Sequence, residues 1–164
     1  MKTIFFNYPL GTPKVAIIST NEKVSKLISD GIIPKGAGYI EKDYIDKNSN
    51  REDWSMVGMP EYLKFNNVKK PSRVEWDMEL VQVYILSLIR NQRSMAFNML
   101  DTLAMRALTK GLTDVVTEIE ADKDILRNMP DTVDLSKATS YWTAYEAVPN
   151  YFIDFDSKYN PKLA

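Results

Sequence analysis

The apolar residues of this chain change their spacing along its length, and the change predicts two kinds of structure. Near the N-terminus, β-branched and aromatic residues form two short runs, residues 3–6 and 14–19, separated by prolines and a glycine. Such runs predict two strands joined by a turn. Between residues 74 and 107, apolar side chains instead recur every three or four positions, which is typical of an amphipathic helix. The chain is therefore predicted to be an α+β protein, with a small sheet followed by helices.

A short helix and a third strand are predicted to complete the N-terminal unit. Asn21 is placed to cap the helix, and Gly31 is placed to end it. Residues 39–42 then have the composition of a strand. Residues 1–58 are therefore predicted to form a small ββαβ domain.

The stretch that follows the third strand is predicted to be irregular. Residues 46–57 are polar and acid-rich, and they are interpreted as an extended loop that Trp54 anchors. Residues 59–71 are interpreted as a linker, with Lys69 and Lys70 in a solvated bend before the next helix.

The longest regular stretch, residues 72–130, is predicted to be an antiparallel α-helical hairpin. Ser72 and Glu75 have the spacing of a capping box at its start. Gly111 supplies the left-handed residue that ends the first helix, and Pro130 is expected to stop the second. Because the connection between the helices is short, they are expected to be antiparallel neighbours.

A single apolar stripe is predicted along the first helix of the hairpin. Its members are Val74, Met78, Val81, Ile85, Leu88, Met95, Met99, Leu103 and Ala107. Methionine fills irregular gaps in cores and also suits adaptable binding surfaces, and we interpret Met78, Met95, Met99 and Met105 as core residues. On that interpretation Met99→Asp is expected to unfold the hairpin, because an isolated buried charge is costly.

Residues 131–164 are predicted to form a short C-terminal helix and an aromatic tail. The tail can be an extended segment that packs on the domain, or an exposed patch that binds a partner. On the second interpretation, truncation after Pro149 would leave the fold intact and weaken binding. The candidate partner-binding residues are Tyr141, Trp142, Tyr145, Tyr151, Phe152 and Phe155.

The chain has no cysteine and no histidine. This composition excludes disulfides, thiolate nucleophiles, Cys/His zinc sites and imidazole bases within the chain. Glu118 and Asp122 are one helical turn apart and could in principle hold Mg²⁺, but a solvated helix face is the preferred interpretation. No other pattern resembles a catalytic constellation, so the chain is predicted to be a non-enzyme that needs no cofactor.

The charge balance and hydropathy limit the kinds of partner. The formal net charge is -1 at pH 7, which argues against a nucleic-acid surface built on bulk positive potential. No apolar run approaches the roughly 20 residues that a membrane-spanning helix needs. A protein partner is therefore expected, and neither a nucleic acid nor a membrane.

Several short patterns carry a resemblance to a known group of proteins. They are residues 89–93, 100–101, 106–111 and 126–130, with Ile119 and Lys123, and, nearer the N-terminus, residues 14–18 and 33–36 with Arg51 and Trp54. In these patterns the chain resembles small proteins encoded beside tail and tail-fibre genes of tailed bacteriophages. It departs from them at Asn128, where aspartate is usual, and in its aromatic tail.

This resemblance implies a role in the assembly of a phage tail or tail fibre. The first hypothesis is a chaperone-like factor in the host cytoplasm that binds a tail, fibre or other virion protein. The alternative is a structural virion protein that acts as a tail, neck or fibre adaptor. Either role is compatible with a homo-oligomer.

Overall fold

The computed structural model describes residues 1–148 and 154–164, which form two compact units, Met1–Val81 and Gln82–Ala164. The predicted α+β class is confirmed: a small sheet comes first, followed by two long helices and short C-terminal helices. Among the described residues, no helix combines the length and the apolar character needed to cross a bilayer.

The N-terminal unit contains the predicted ββαβ arrangement. Strand β1 (Lys2–Asn7) lies between β2 (Val15–Thr20) and β3 (Tyr39–Asp43), and both pairings are antiparallel. Helix α1 (Val24–Ser29) follows β2. One core cluster of this unit consists of Ile4, Phe6, Val24, Leu27 and Ile33. The period-two alternation of β1 explains why Ile4 and Phe6 point into the same cluster.

The predicted start of helix α1 is wrong, and its predicted end is confirmed. Lys23, and not Asn21, is the N-cap residue, and its side chain makes no capping hydrogen bond. At the other end, the predicted glycine stop is confirmed, since Gly31 has a φ of 73° and follows the C-cap residue Asp30. A positive φ costs glycine little, because it has no Cβ.

The loop predicted after the third strand is wrong, because residues Arg51–Gly58 form helix α2. The backbone N–H of Asp53 donates to the Asn50 side chain at 2.9 Å, which caps the first turn. Glu52 and Asp53 place negative charge at the positive end of the helix dipole. Trp54 is exposed and does not anchor this segment in the core.

Part of the predicted linker is also regular. Pro60–Tyr62 is a short 3₁₀ helix, and β4 (Leu63–Phe65) pairs antiparallel with β5 (Val74–Trp76). Leu63 and Phe65 are buried. Strand β4 therefore lies within the predicted linker. The sequence does not indicate this strand, because three residues show almost no periodicity.

The predicted capping box at Ser72 and Glu75 does not form. Glu75 lies within β5, and helix α3 begins only at Met78. The Ser72 backbone N–H instead donates to the Asn66 side chain at 3.1 Å. Strand pairing therefore outweighs the local capping preference, because it also places apolar side chains of both strands in the interior.

The helical hairpin is confirmed. Helix α3 (Met78–Thr109) is followed by Gly111, with a φ of 68°, and by α4 (Thr113–Thr132). Lys123 of α4 contacts Asp101 of α3 at 2.7 Å. Arg93 donates to the backbone carbonyl of Arg127. These pairs run in opposite directions along the two helices, as an antiparallel arrangement requires.

Pro130 does not stop α4, which continues to Thr132. The predicted boundary was wrong by two residues, because a proline this close to the C-terminus removes only one hydrogen bond of the last turn. Thr132 then donates its hydroxyl to the carbonyl of Met129.

The buried stripe of α3 differs from the predicted one between residues 88 and 99, whereas Leu103 and Ala107 are buried as predicted. The fully or nearly buried residues of this helix are Val81, Ile85, Ile89, Ala96, Leu100, Leu103, Ala104 and Ala107. Met95, Met99 and Met105 are exposed, so their interpretation as core residues is wrong. The error is a register shift of one position, with Ala96 and Leu100 buried where Met95 and Met99 were expected.

The C-terminal residues form two short helices. Helix α5 (Tyr141–Glu146) begins with a capping box between Ser140 and Thr143. Helix α6 (Phe155–Tyr159) is capped by Asp154 and followed by a 3₁₀ turn, Asn160–Leu163. Phe155 was predicted to lie in an extended segment, but it is the first residue of helix α6. Residues 151–153 lie outside the described part of the chain.

Candidate partner-binding site

Four aromatic side chains of α3 and α5 form a contiguous cluster in the second unit. We call Tyr84, Tyr141, Trp142 and Tyr145 the aromatic cluster. The ring of Tyr141 lies 5.0 Å from Trp142 in an edge-on arrangement and 6.0 Å from Tyr145 in a stacked one. Trp142 and Tyr145 are 5.9 Å apart, and Tyr84 is 6.2 Å from Tyr141. Aromatic pairs at such distances attract one another beyond their burial.

Local hydrogen bonds at the start of α5 position this cluster. The Thr143 hydroxyl oxygen accepts from the backbone N–H groups of Thr139 and Ser140, each at 2.9 Å. The Ser140 hydroxyl accepts from the Thr143 backbone at 3.2 Å. Upstream, the side chain of Gln82 on α3 donates to the carbonyl of Leu135 at 3.3 Å. The segment before α5 is thus tied to the same end of α3 that carries Tyr84.

The solvent exposure of the side chains increases across the cluster, from Tyr141 to Tyr145. Tyr141 is buried, Trp142 is half-buried and Tyr145 is 44% exposed. An exposed aromatic ring that packs on buried rings can contribute a large contact area to an interface. It loses little conformational entropy when a partner binds. This gradation is suited to binding another protein surface.

The structure places the six predicted partner-binding residues in different environments, and two of them lie outside the described residues. The structure brings Tyr141, Trp142 and Tyr145 together. Phe155 is fully buried at the start of α6, so its assignment to a free binding surface is wrong. Tyr151 and Phe152 lie outside the described residues. Tyr84 was missed, because nothing in the local sequence indicates its contact with a ring far along the chain.

A concave region lies in the N-terminal unit. It is an open, polar cleft of about 630 Å³ beside β3 and α2. Its charges are largely paired: Lys2 contacts Glu41 at 2.7 Å, and Lys42 contacts Asp53 at 3.1 Å. Such pairing leaves little net charge to attract an ionic ligand.

Asp53 is the carboxylate of this cleft whose protonation is most clearly perturbed. Partial burial raises its pKa, but hydrogen bonds from Lys42 and Asn50 and the charge of Lys42 outweigh burial, so the pKa is lowered. A carboxylate with a lowered pKa stays ionised near neutral pH and is a weak base there. General-base catalysis instead favours a pKa near the working pH.

Lysines contact both members of the acidic pair Glu118 and Asp122. Asp122 contacts Lys158 at 2.6 Å, and Glu118 contacts Lys162. Within residues 1–148 and 154–164, no group of three or more acidic side chains has the geometry to hold a metal ion.

No protein-family model, no curated protein and no solved structure matches this chain. The functional assignment therefore rests on the residues of the chain itself. Among them, the aromatic cluster offers the surface chemistry best suited to a partner.

Proposed function

We propose that this chain is a non-catalytic assembly factor that binds a protein of a phage tail or tail fibre in the host cytoplasm. The aromatic cluster with its exposed Tyr145 is the observation that carries the proposal. Tyrosine and tryptophan are enriched where binding energy is concentrated at protein interfaces. The resemblance to small proteins encoded beside tail genes supplies the kind of partner.

The composition supports a binding role over a catalytic one. Without cysteine or histidine, the chain is left with carboxylate, lysine, tyrosine and hydroxyl chemistry. The Asp53 carboxylate, with its lowered pKa and its lysine partner, is a poor general base. A net charge of -1 also favours a protein partner over a nucleic acid.

The test is quantitative mass spectrometry of purified particles and of infected-cell lysate, with the chain measured against the major tail protein. An assembly factor is expected in lysate, in complex with a tail or fibre subunit, and depleted from particles. A fixed copy number in the particle would instead identify a structural adaptor. Failure to associate with any virion protein in either fraction would overturn both roles.

A matched pair of tyrosine variants tests whether the aromatic cluster is the binding site. Tyr145→Ala is expected to lower recovery of the partner subunit at least about tenfold, since truncation of an aromatic residue at which binding energy is concentrated commonly costs about 2 kcal/mol or more. Tyr44→Ala is the control, because Tyr44 is 46% exposed, close to the 44% of Tyr145, and lies in the other unit. Equal recovery with both variants would remove the cluster from the interface.

A further inference from the structure

The sheet of the N-terminal unit has two edges, and they differ in what lies against them. At the β2 edge, the Phe65 backbone N–H donates to the Pro13 carbonyl at 2.7 Å, and Lys14 forms a β-bridge with Lys64. Strand β4 therefore covers the start of that edge. At the other edge, no strand within the described part of the chain pairs with β3 on the side away from β1. An uncovered edge can pair with a strand of another chain.

The hydrogen-bond register shows which backbone groups of β3 face outward. The Asn7 backbone N–H donates to the Gly38 carbonyl at 3.0 Å, so these two residues form a hydrogen-bonded pair. In an antiparallel ladder, such pairs alternate with pairs that are not hydrogen-bonded. The N–H and C=O groups of Tyr39, Glu41 and Asp43 therefore point away from β1. No hydrogen bond among the described residues uses these groups, so a fourth strand can bind them.

The cleft beside β3 and α2 gives this edge room for an added segment. It has a volume of about 630 Å³, and its lining includes Glu41, Lys42 and Asp43 of β3 and Asn50 and Asp53 of α2. Ligand sites in proteins commonly have volumes of about 300–1,000 Å³. An extended backbone suits a cleft whose charges are largely paired, because it binds through hydrogen bonds and needs little net charge.

Side chains of β3 indicate the chemistry of that segment. Tyr39, Glu41 and Asp43 lie on one face of the sheet, because side chains alternate along a strand. Glu41 contacts Lys2 at 2.7 Å, whereas Asp43 forms no ion pair with any described residue. A lysine or arginine opposite Asp43 would supply the opposite charge. An aromatic side chain opposite Tyr39, which is 41% exposed, would cover its ring.

The same face disfavours pairing between two copies of the chain. If β3 paired antiparallel with β3 of a second copy and the two strands overlapped fully, Glu41 would lie opposite Glu41 of that copy. Like charges directly opposite one another destabilise a sheet. The charges of this edge therefore favour a basic segment of another protein over a second copy.

We propose that the uncovered edge of β3 binds an extended segment of another protein, which adds to the sheet as a fourth, antiparallel strand. The segment carries a lysine or arginine opposite Asp43 and, four residues later, an aromatic residue opposite Tyr39. Both existing strand pairs of this sheet are antiparallel. The site lies in the N-terminal unit and does not rest on the role proposed for the aromatic cluster.

The experiment uses the full-length chain and a fluorescein-labelled peptide of threonine, lysine, valine, threonine, valine, tyrosine and threonine, in that order. Fluorescence anisotropy measures its Kd. N-methylation of the central threonine and tyrosine amides, which would face β3, is expected to weaken binding at least about tenfold, because two backbone hydrogen bonds are lost. N-methylation of the two valine amides, which would face away, is the control and is expected to weaken binding less than about threefold.

The charge preference is tested with a second peptide. Glutamate in place of the lysine would lie opposite Asp43, so this peptide is expected to bind at least about threefold more weakly.

Matched proline variants test the edge on the chain itself. Glu41→Pro removes the outward N–H at the centre of β3 and is expected to weaken peptide binding at least about tenfold. Ser19→Pro is the control, because the register places the Ser19 N–H on the outer side of β2. Glu41→Gln keeps the N–H and is expected to retain binding. Circular dichroism checks each fold, and if Glu41→Pro does not fold, the N-methylated peptides decide the question with the native chain.

Four results would overturn the proposal. They are no binding of the peptide by the native chain at millimolar concentration, equal binding of the two N-methylated peptides, and equal binding of the glutamate peptide. The fourth is a dimer of the native chain that Glu41→Pro dissociates in light scattering, which would identify a second copy as the occupant. Tyr145→Ala is expected to leave peptide binding unchanged, so failure of this site and failure of the aromatic cluster can be told apart.

Discussion

At the scale of single residues, adjacent positions on α3 have opposite environments. Leu100 is 0% exposed, whereas Met99 is 38% exposed. We expect Leu100→Ala to lower the free energy of unfolding by about 2–5 kcal/mol, through lost burial and a residual cavity. Met99→Ala is the control and is expected to cost less than about 1 kcal/mol. Urea denaturation of both variants checks this, and equal losses would contradict the register of the helix.

The exposure of Met99 also reverses an expectation drawn from the sequence. Met99→Asp was expected to unfold the hairpin. Because the side chain at this position reaches solvent, we now expect the variant to keep its fold. The sequence could not make this distinction, since Met95, Met99 and Leu103 fit one helical stripe as well as Ala96, Leu100 and Leu103 do.

Gly38 is the glycine whose environment excludes a side chain. A Cβ at this position would lie 2.6 Å from the Val68 carbonyl oxygen and 2.7 Å from Pro71 Cδ. The Gly38 backbone is also held by Asn7, whose side chain accepts its N–H at 2.7 Å. We expect Gly38→Ala to destabilise the fold by about 1–3 kcal/mol. Gly58→Ala, where no atom lies within 4 Å of the added Cβ, is expected to show no such loss in thermal unfolding.

At the scale of elements, side-chain caps stabilise the first turns of α2, α5 and α6. Asp154 caps α6, and hydrogen bonds from the Ser157 side chain and backbone lower the pKa of the carboxyl group. The ionised form is therefore favoured in the folded state. Its contribution to stability is present above the ordinary pKa and is lost as pH falls through the lowered one.

Two substitutions at this cap separate charge from hydrogen bonding. Asp154→Asn keeps an acceptor oxygen and is expected to retain most of the melting temperature at neutral pH, with less dependence on pH between about 5 and 2. Asp154→Ala removes the acceptor and is expected to lower the melting temperature at every pH. Identical melting profiles for both variants would show that the cap contributes nothing measurable.

Elements with strong local signals were the ones that the sequence predicted. The turn at Gly111 and the long periodic helices around it were found because many residues act in the same direction. The predicted helix start at Ser72 failed, because pairing of β4 with β5 competes for the same residues and no local pattern reports a partner strand. Helix α2 was missed because its composition resembles a polar loop.

At the scale of the whole molecule, residues 154–164 are part of the packed structure. Truncation after Pro149 was expected to leave the fold intact. The structure reverses that expectation, because the truncated chain loses Phe155, Tyr159 and Leu163, all buried. Each such side chain contributes about 1.5–3 kcal/mol by burial. We expect the truncated chain to lose helical circular dichroism and to melt at a lower temperature, and an unchanged melting curve would contradict this.

The sequence by itself determined the α+β class, the helical hairpin and the lack of thiol and imidazole chemistry, because each depends on composition or on local periodicity. It also placed Tyr141, Trp142 and Tyr145 within one short stretch. Only the tertiary structure decided that Tyr84 joins them and that Phe155 is buried. Contacts between residues far apart in sequence depend on how elements pack. Periodicity indicates which face of an element is buried, but it does not indicate which residues of another element cover that face.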